Sequence, residues 1–179
     1  MPHRHRLFFA LRPSRIEANL TGLFRDTADS ALTPVTNDRL HMTMGITGDF
    51  AAFPQDVAER MTAIGDGLAG DRFVLALDRL SGSERSIALR PSKRPPALSA
   101  LQKQVDDLLR YWNLMRSGWS FNPHVTLGYR AGLSFLEPVT PLVWDVREIV
   151  LIHSLVGATR HVELGRWPLM RRQLDLFSG

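Results

Sequence analysis

The sequence predicts an α+β fold with antiparallel sheets, and three observations carry that expectation. Helical segments are interleaved with strands joined by short turns, an order that does not read as repeated βαβ units. The 179 residues are enough for one good-sized domain, or for two small lobes sharing a core, and too few for two independent domains. A strand-like hexapeptide also recurs nearly half a chain later, which suggests two related lobes within a single unit spanning 1–179.

The elements follow from periodicity and punctuation. Residues 7–12 read as a buried strand, and Pro13-Ser14 opens a helix to about residue 29 with Ile16, Leu20, Leu23 and Phe24 at helical spacing. A loop is expected over 31–38. A period-two strand follows over 40–46, ending near Gly48. A second helix is expected over 54–68, with Val57, Met61, Ile64 and Leu68 on one face. Residues 73–80 and 86–90 form a hairpin around Ser81-Gly82-Ser83. Pro95-Pro96 starts a third helix, whose stripe runs through Leu98, Leu101, Val105, Leu108, Leu109 and Trp112. A strand over 121–129, a loop through Gly132 and Pro138, and two closing strands near 146–155 and 160–169 complete the reading.

Composition removes several classes of function. There is no cysteine, so disulfides, thiolate nucleophiles and Cys-ligated zinc are excluded. The apolar run at residues 7–11 ends at Arg12 and Pro13, too soon for a signal-peptide core or a membrane span, and a cytoplasmic protein with no membrane association is expected. The formal charge of +4 favours an anionic partner. Of the 22 basic residues all but Lys93 and Lys103 are Arg, the side chain that grips phosphate with paired hydrogen bonds.

The chemistry lies in the repeat. Leu40-His41-Met42-Thr43-Met44-Gly45 and Pro123-His124-Val125-Thr126-Leu127-Gly128 share the order His, apolar, Thr, apolar, Gly, with the histidines at 41 and 124. On a strand, residues i and i+2 project from one face, so each copy offers an imidazole and a hydroxyl together and buries the residue between. Two such strands facing across a cleft make a cage suited to in-line displacement at phosphorus. One imidazole takes a proton from water and the other gives one to the leaving oxygen, while the hydroxyls donate to the non-bridging oxygens. An unperturbed imidazole near pKa ~6.5 allows both protonation states near neutrality. The scheme needs no metal or other cofactor, and the sequence has no carboxylate cluster or His-x-x-x-His helix. Against this stands the reading of two unrelated strand histidines. His3, His5, His153 and His161 lack the motif and are read as surface or structural residues.

With these motifs the chain resembles the two-histidine (2H) phosphoesterases, and within them the LigT-like RNA 2′,3′-cyclic phosphodiesterases first described as 2′-5′ RNA ligases. The likeness covers nearly the whole chain, through Arg6-Leu7-Phe8-Phe9-Ala10-Leu11, both His motifs, Ile152-His153-Ser154-Leu155 and Leu164-Gly165-Arg166-Trp167-Pro168-Leu169. It implies a bilobal fold in which two pseudo-symmetric, mostly antiparallel sheets line a central cleft with helices outside. The implied reaction is metal-independent hydrolysis of a 2′,3′-cyclic phosphate to the 2′-phosphate, with RNA termini or nucleotides as partners. By that resemblance His41 is the proton donor, His124 the proton acceptor, and Thr43 and Thr126 contact the phosphate.

Family members usually carry an Arg five residues after the second His, where this chain has Tyr129 and then Arg130. Arg130 shares strand parity with His124 and Thr126 and is the candidate replacement; a solvated strand-end Arg is the alternative. Phe9 and Trp119 are candidates to stack on a base. Competing readings are 2′-5′ ligation, cleavage of 2′-5′ oligonucleotides, a non-catalytic RNA-end binding module and a His-based metal site. A monomer is expected.

Overall fold

A computed structural model describes residues 4–29 and 31–170; His3 lies outside them. The elements in chain order are β1 (Arg4–Leu11), α1 (Arg15–Ala28), β2 (Thr33–Pro34), a short 3-10 turn (Asn37–Arg39), β3 (Met42–Ile46), α2 (Gln55–Gly67), β4 (Phe73–Gly82), β5 (Ser86–Arg90), α3 (Pro96–Tyr111), β6 (Val125–Tyr129), β7 (Phe135–Val146), β8 (Glu148–Val156) and β9 (Arg160–Pro168). They form two antiparallel sheets, one ordered β3-β1-β8-β9 and the other β2-β6-β5-β4-β7. Helix α3 packs on β3, α2 on β8 and β9, and α1 on β7.

β1 explains why an apolar run without alternation sits at the start of the chain. Leu7, Phe9 and Leu11 enter the main core, which is continuous through both sheets. Phe8 and Ala10 face the other way, in a small cluster with Val150 and Ile152. A strand covered on both faces shows no period of two.

The predicted helices form, and α3 buries Leu98, Leu101, Val105 and Leu109 as its stripe requires. Helix α1 departs from its apolar spacing. A capping box starts it, with the Ser14 amide donating to Glu17 Oε2 at 2.7 Å and the Glu17 amide donating to the Ser14 hydroxyl at 3.3 Å. Its buried face is Ala18, Thr21 and Gly22, whereas Ile16, Leu20 and Leu23 are 73%, 52% and 65% exposed. Small residues allow a close approach that larger ones would block. A Cβ on Gly22 would collide with the Asn37 side-chain amide, and the Trp144 indole N–H donates to the Thr21 hydroxyl at 3.2 Å.

Residues 135–146, expected as a loop around Pro138, form the twelve-residue strand β7 instead. β7 is an edge strand, where a proline's missing N–H removes no bond from a further neighbour, and its pairing with β4 shifts register between Leu77 and Arg79, opposite Pro138. β2 is a second strand that lay within an expected loop.

The two sheets repeat one detail that positions the site. On β3, Thr43 pairs with Ala10 and Gly45 with Phe9, leaving Met44 as an extra residue; on β6, Thr126 pairs with Ala88 and Gly128 with Ile87, leaving Leu127 extra. Each motif therefore carries a bulge at the same place, and a bulge reverses the face of everything after it.

Candidate active site

The two His motifs meet in a cleft of about 420 Å³ lined by both sheets, with His41, Thr43 and Ile46 from one and His124, Thr126 and Tyr129 from the other. His41 lies just ahead of β3 and His124 just ahead of β6. In both copies the imidazole and hydroxyl are half-buried while the residue between them, Met42 or Val125, is fully buried. Gly45 and Gly128 have a packing reason. A Cβ at Gly45 would meet Val105 and Leu109 of α3 at 2.6 and 2.7 Å, and one at Gly128 would lie 2.6 Å from the carbonyl oxygen of Thr33.

Each imidazole is oriented the same way. His41 Nδ1 lies 2.7 Å from the carbonyl of Arg39, and His124 Nδ1 lies 2.7 Å from the carbonyl of Asn122. A carbonyl only accepts, so Nδ1 carries the proton in both rings and Nε2 is left for the cleft. Among the described residues neither Thr43 nor Thr126 spends its hydroxyl on a hydrogen bond within the protein. A pair of imidazole Nε2 atoms and a pair of free hydroxyls therefore share one pocket.

Burial is the main force on their protonation. It lowers His41 to about 4, against a raising effect from the Arg39 carbonyl, with His124, Arg12 and Arg39 adding positive charge nearby. His124 is also lowered, first by burial and further by Arg90, the Asn122 carbonyl opposing. In the free protein both rings are thus neutral at pH 7, His41 through burial first and a more cationic setting second.

The remaining candidates do not reach the cleft. Unbroken parity would aim Arg130 inward, but the bulge at Leu127 turns Tyr129 inward and Arg130 away. Its Nε lies 2.5 Å from Asp29 Oδ2, its Nη1 donates to the Ala131 carbonyl at 3.2 Å, and its guanidinium sits 5.9 Å from the centre of the Phe135 ring. Phe9 is fully buried against Trp167, so no base can reach it; its neighbour Phe8 faces the cleft and touches His41 at a ring separation of 5.0 Å. Trp119 packs beside Phe121, with ring centres 6.4 Å apart, and is not part of the lining.

His161 and Arg39 also line the cleft, and neither is a candidate from the sequence. His161 stands edge-on to His41 with ring centres 5.4 Å apart and edge-on to Phe8 at 5.5 Å. Burial lowers it to about 4, with His41, Arg39 and Arg12 adding to the effect. The β8–β9 turn, with Gly157 at φ 86°, sets Ser154 opposite His161 and so aims it inward. That turn was the available signal. His5 and His153, by contrast, pair with each other at 2.9 Å beside Phe53, away from the cleft lining. Among the described residues no three His, Asp or Glu side chains converge as a metal site would require, and no helix is long and apolar enough to cross a membrane. A larger hollow of about 630 Å³ between α2 and α3 holds none of the motif residues.

The family model for the 2′-5′ RNA ligase superfamily matches residues 13–158. Among solved structures, E. coli LigT complexed with 3′-AMP is 24% identical, with 94% of this chain and 99% of that chain covered and a TM-score of 0.78. The same protein complexed with phosphate gives 23% identity, the same coverage and a TM-score of 0.74. TT0787 of Thermus thermophilus gives 20% identity, 94% and 100% coverage and a TM-score of 0.77. At these identities the likeness carries the fold, with its two sheets around one cleft. No curated protein matches the chain.

Proposed function

The chain belongs to the 2′-5′ RNA ligase superfamily and has the fold of a two-histidine phosphoesterase, and from that premise we propose that it hydrolyses 2′,3′-cyclic phosphates at RNA ends or on nucleotides to the 2′-phosphate. The observation that carries the proposal is the convergence of His41, Thr43, His124 and Thr126 on one cleft with both Nε2 atoms and both hydroxyls uncommitted. In support, the structures of E. coli LigT with 3′-AMP and with phosphate associate this fold with the two parts of such a ligand.

Water attacks phosphorus in line with the 3′-oxygen. His124 Nε2 takes the water's proton, the P–O3′ bond breaks, and His41 Nε2 gives its proton to the departing O3′, leaving a 2′-monoester and a free 3′-hydroxyl. Thr43 and Thr126 donate to the non-bridging oxygens as charge builds there. Tension in the five-membered ring assists bond breaking, and the leaving oxygen stays tethered to the ribose. His41 must be protonated to play this part, and in the free protein it is not. The phosphate's own charge therefore has to raise its proton affinity on binding.

The test is turnover of 2′,3′-cyclic AMP in the presence of chelator, with the position of the product phosphate read by phosphorus NMR. Formation of the 2′-monophosphate supports the proposal; a 3′-monophosphate, or no turnover, rejects it. Running a 2′-5′ oligonucleotide and a ligation substrate in parallel, and comparing kcat/KM, separates hydrolysis of the cyclic ester from the other activities within the superfamily. Tight binding of cyclic-phosphate RNA without any turnover would identify a binding module instead.

A further inference from the structure

We infer that Arg39 is this chain's own grip on the substrate phosphate, a role that rests on the reading of the cleft as a phosphoester site and that no motif assigns to it.

The other arginines around the cleft are already engaged. Arg6 is held by Asp49 through two hydrogen bonds, at 2.6 and 2.9 Å. Arg12 donates to Glu163 and to the carbonyl of Asp38. Arg90 donates to Ser81 at 2.8 Å and to Asn122 at 2.7 Å. Arg130 faces Asp29. Arg39 is different: it lines the cleft, and among the described residues no salt bridge or hydrogen bond engages its guanidinium, whose Nε is buried without a partner as is that of Arg130, which unlike Arg39 has a carboxylate, Asp29, beside it. Arg39 is half-buried, and a buried guanidinium donor left unused is costly to keep; an anion bound beside it would remove that cost.

Its position couples it to the chemistry. Arg39 ends the 3-10 turn two residues ahead of His41, and its carbonyl is the acceptor that orients the His41 ring. One residue thus sets the direction of Nε2 and presents a guanidinium to the same pocket. The second motif shows what is lost without it. The equivalent position there is Asn122, whose carbonyl orients His124 in the same way but whose side chain is occupied by Arg90. Both walls carry a guanidinium, Arg39 beside His41 and Arg90 beside His124, but Arg90 spends donors on Ser81 and Asn122, so the His41 wall offers an anion the freer donors. That wall is where the anion's charge is needed, because burial, with the nearby positive groups adding to it, otherwise keeps His41 neutral.

The experiment compares Arg39→Gln, Arg39→Lys, Arg39→Ala and Arg130→Gln with wild type, using an exposed-surface variant, Arg85→Gln, as the charge control. Two readouts are taken: affinity for inorganic phosphate and for adenosine 2′-monophosphate by NMR titration, and kcat/KM on 2′,3′-cyclic AMP. Losing a hydrogen bond to a charged group should weaken phosphate binding by roughly 10–100-fold in Arg39→Gln. Arg39→Lys should recover part of it, and free guanidinium should partly restore Arg39→Ala, which a merely structural role would not allow. Arg130→Gln and Arg85→Gln should stay within about twofold of wild type, a change well inside one hydrogen bond's worth. A folded Arg39→Gln with wild-type phosphate affinity overturns the inference, as does a loss confined to Arg130→Gln. Because affinity is read without turnover, a wild-type protein that binds phosphate through Arg39 yet opens no cyclic ester would defeat the proposed reaction and leave Arg39's role standing.

Discussion

Binding of a phosphate should switch the protonation of His41. In the free protein burial holds this ring at about 4, so at pH 7 about one molecule in a thousand carries the proton that a donor needs. A single negative charge about 4 Å from the ring, at an effective dielectric near 20, favours the imidazolium by roughly 4 kcal/mol. That energy is worth about three powers of ten in proton affinity and brings the titration close to neutrality. The assay is NMR of the imidazole Cε1–H signals across pH 4 to 8, with the free protein and with saturating inorganic phosphate or adenosine 2′-monophosphate. The His41 signal should titrate near the acid end when free and move by more than one pH unit toward neutrality when the anion is bound. A ring that titrates near its ordinary value in the free protein would refute the electrostatic reasoning. If His41 stays neutral at pH 6 with phosphate bound, it is not the donor, and His124, the less depressed of the pair, takes that role.

Acid should destabilise the fold through the same groups. His41 and His161 resist protonation until about 4, whereas an unfolded imidazole takes its proton near ~6.5. Their contribution is therefore complete above about pH 6.5 and is lost as pH falls toward 4, by about 1–3 kcal/mol each once partial exposure is allowed for. Urea unfolding at pH 7 and pH 5 should show the drop, and His161→Asn should shrink it; an unchanged drop would contradict the buried-imidazole account. Gly128→Ala should cost about 1–3 kcal/mol, because its Cβ meets the Thr33 backbone 2.6 Å away, and a Tm equal to wild type would show that β2 yields freely. Phe9→Ala should cost about 3–5 kcal/mol by thermal unfolding, as deletion of a buried ring does, whereas Trp119→Ala should change nucleotide affinity by less than about twofold since it makes no contact with the cleft.

Much of this site is readable from the chain because period-two alternation is a strong constraint where one face is buried. His-apolar-Thr fixes two side chains on one face over three residues, and the structure places both copies accordingly. Reading stops where alternation breaks. The bulges at Met44 and Leu127 invert parity, so Arg130, in phase with His124 on paper, points to Asp29 while Tyr129 enters the cleft. β1 is buried on both faces, and no pattern tells Phe8, which lines the cleft, from Phe9, which does not. Helix α1 turns small residues inward because Asn37 and Trp144 approach closely, against the direction of its apolar spacing. β7 carries two prolines that an edge strand tolerates and a sequence reading takes for a loop. His161 and Arg39 become visible only when strand pairing and the 3-10 turn bring them beside His41.

The most direct test of the paired-histidine account is hydrolysis of 2′,3′-cyclic AMP by wild type, His41→Ala and His124→Ala, each checked for folding, in the presence of chelator. Each substitution should lower kcat by about 10²–10⁴-fold, the usual worth of a general acid or base, and the double variant should be little worse than either alone. Wild-type turnover in a folded single variant would show that the two imidazoles do not share one phosphorus.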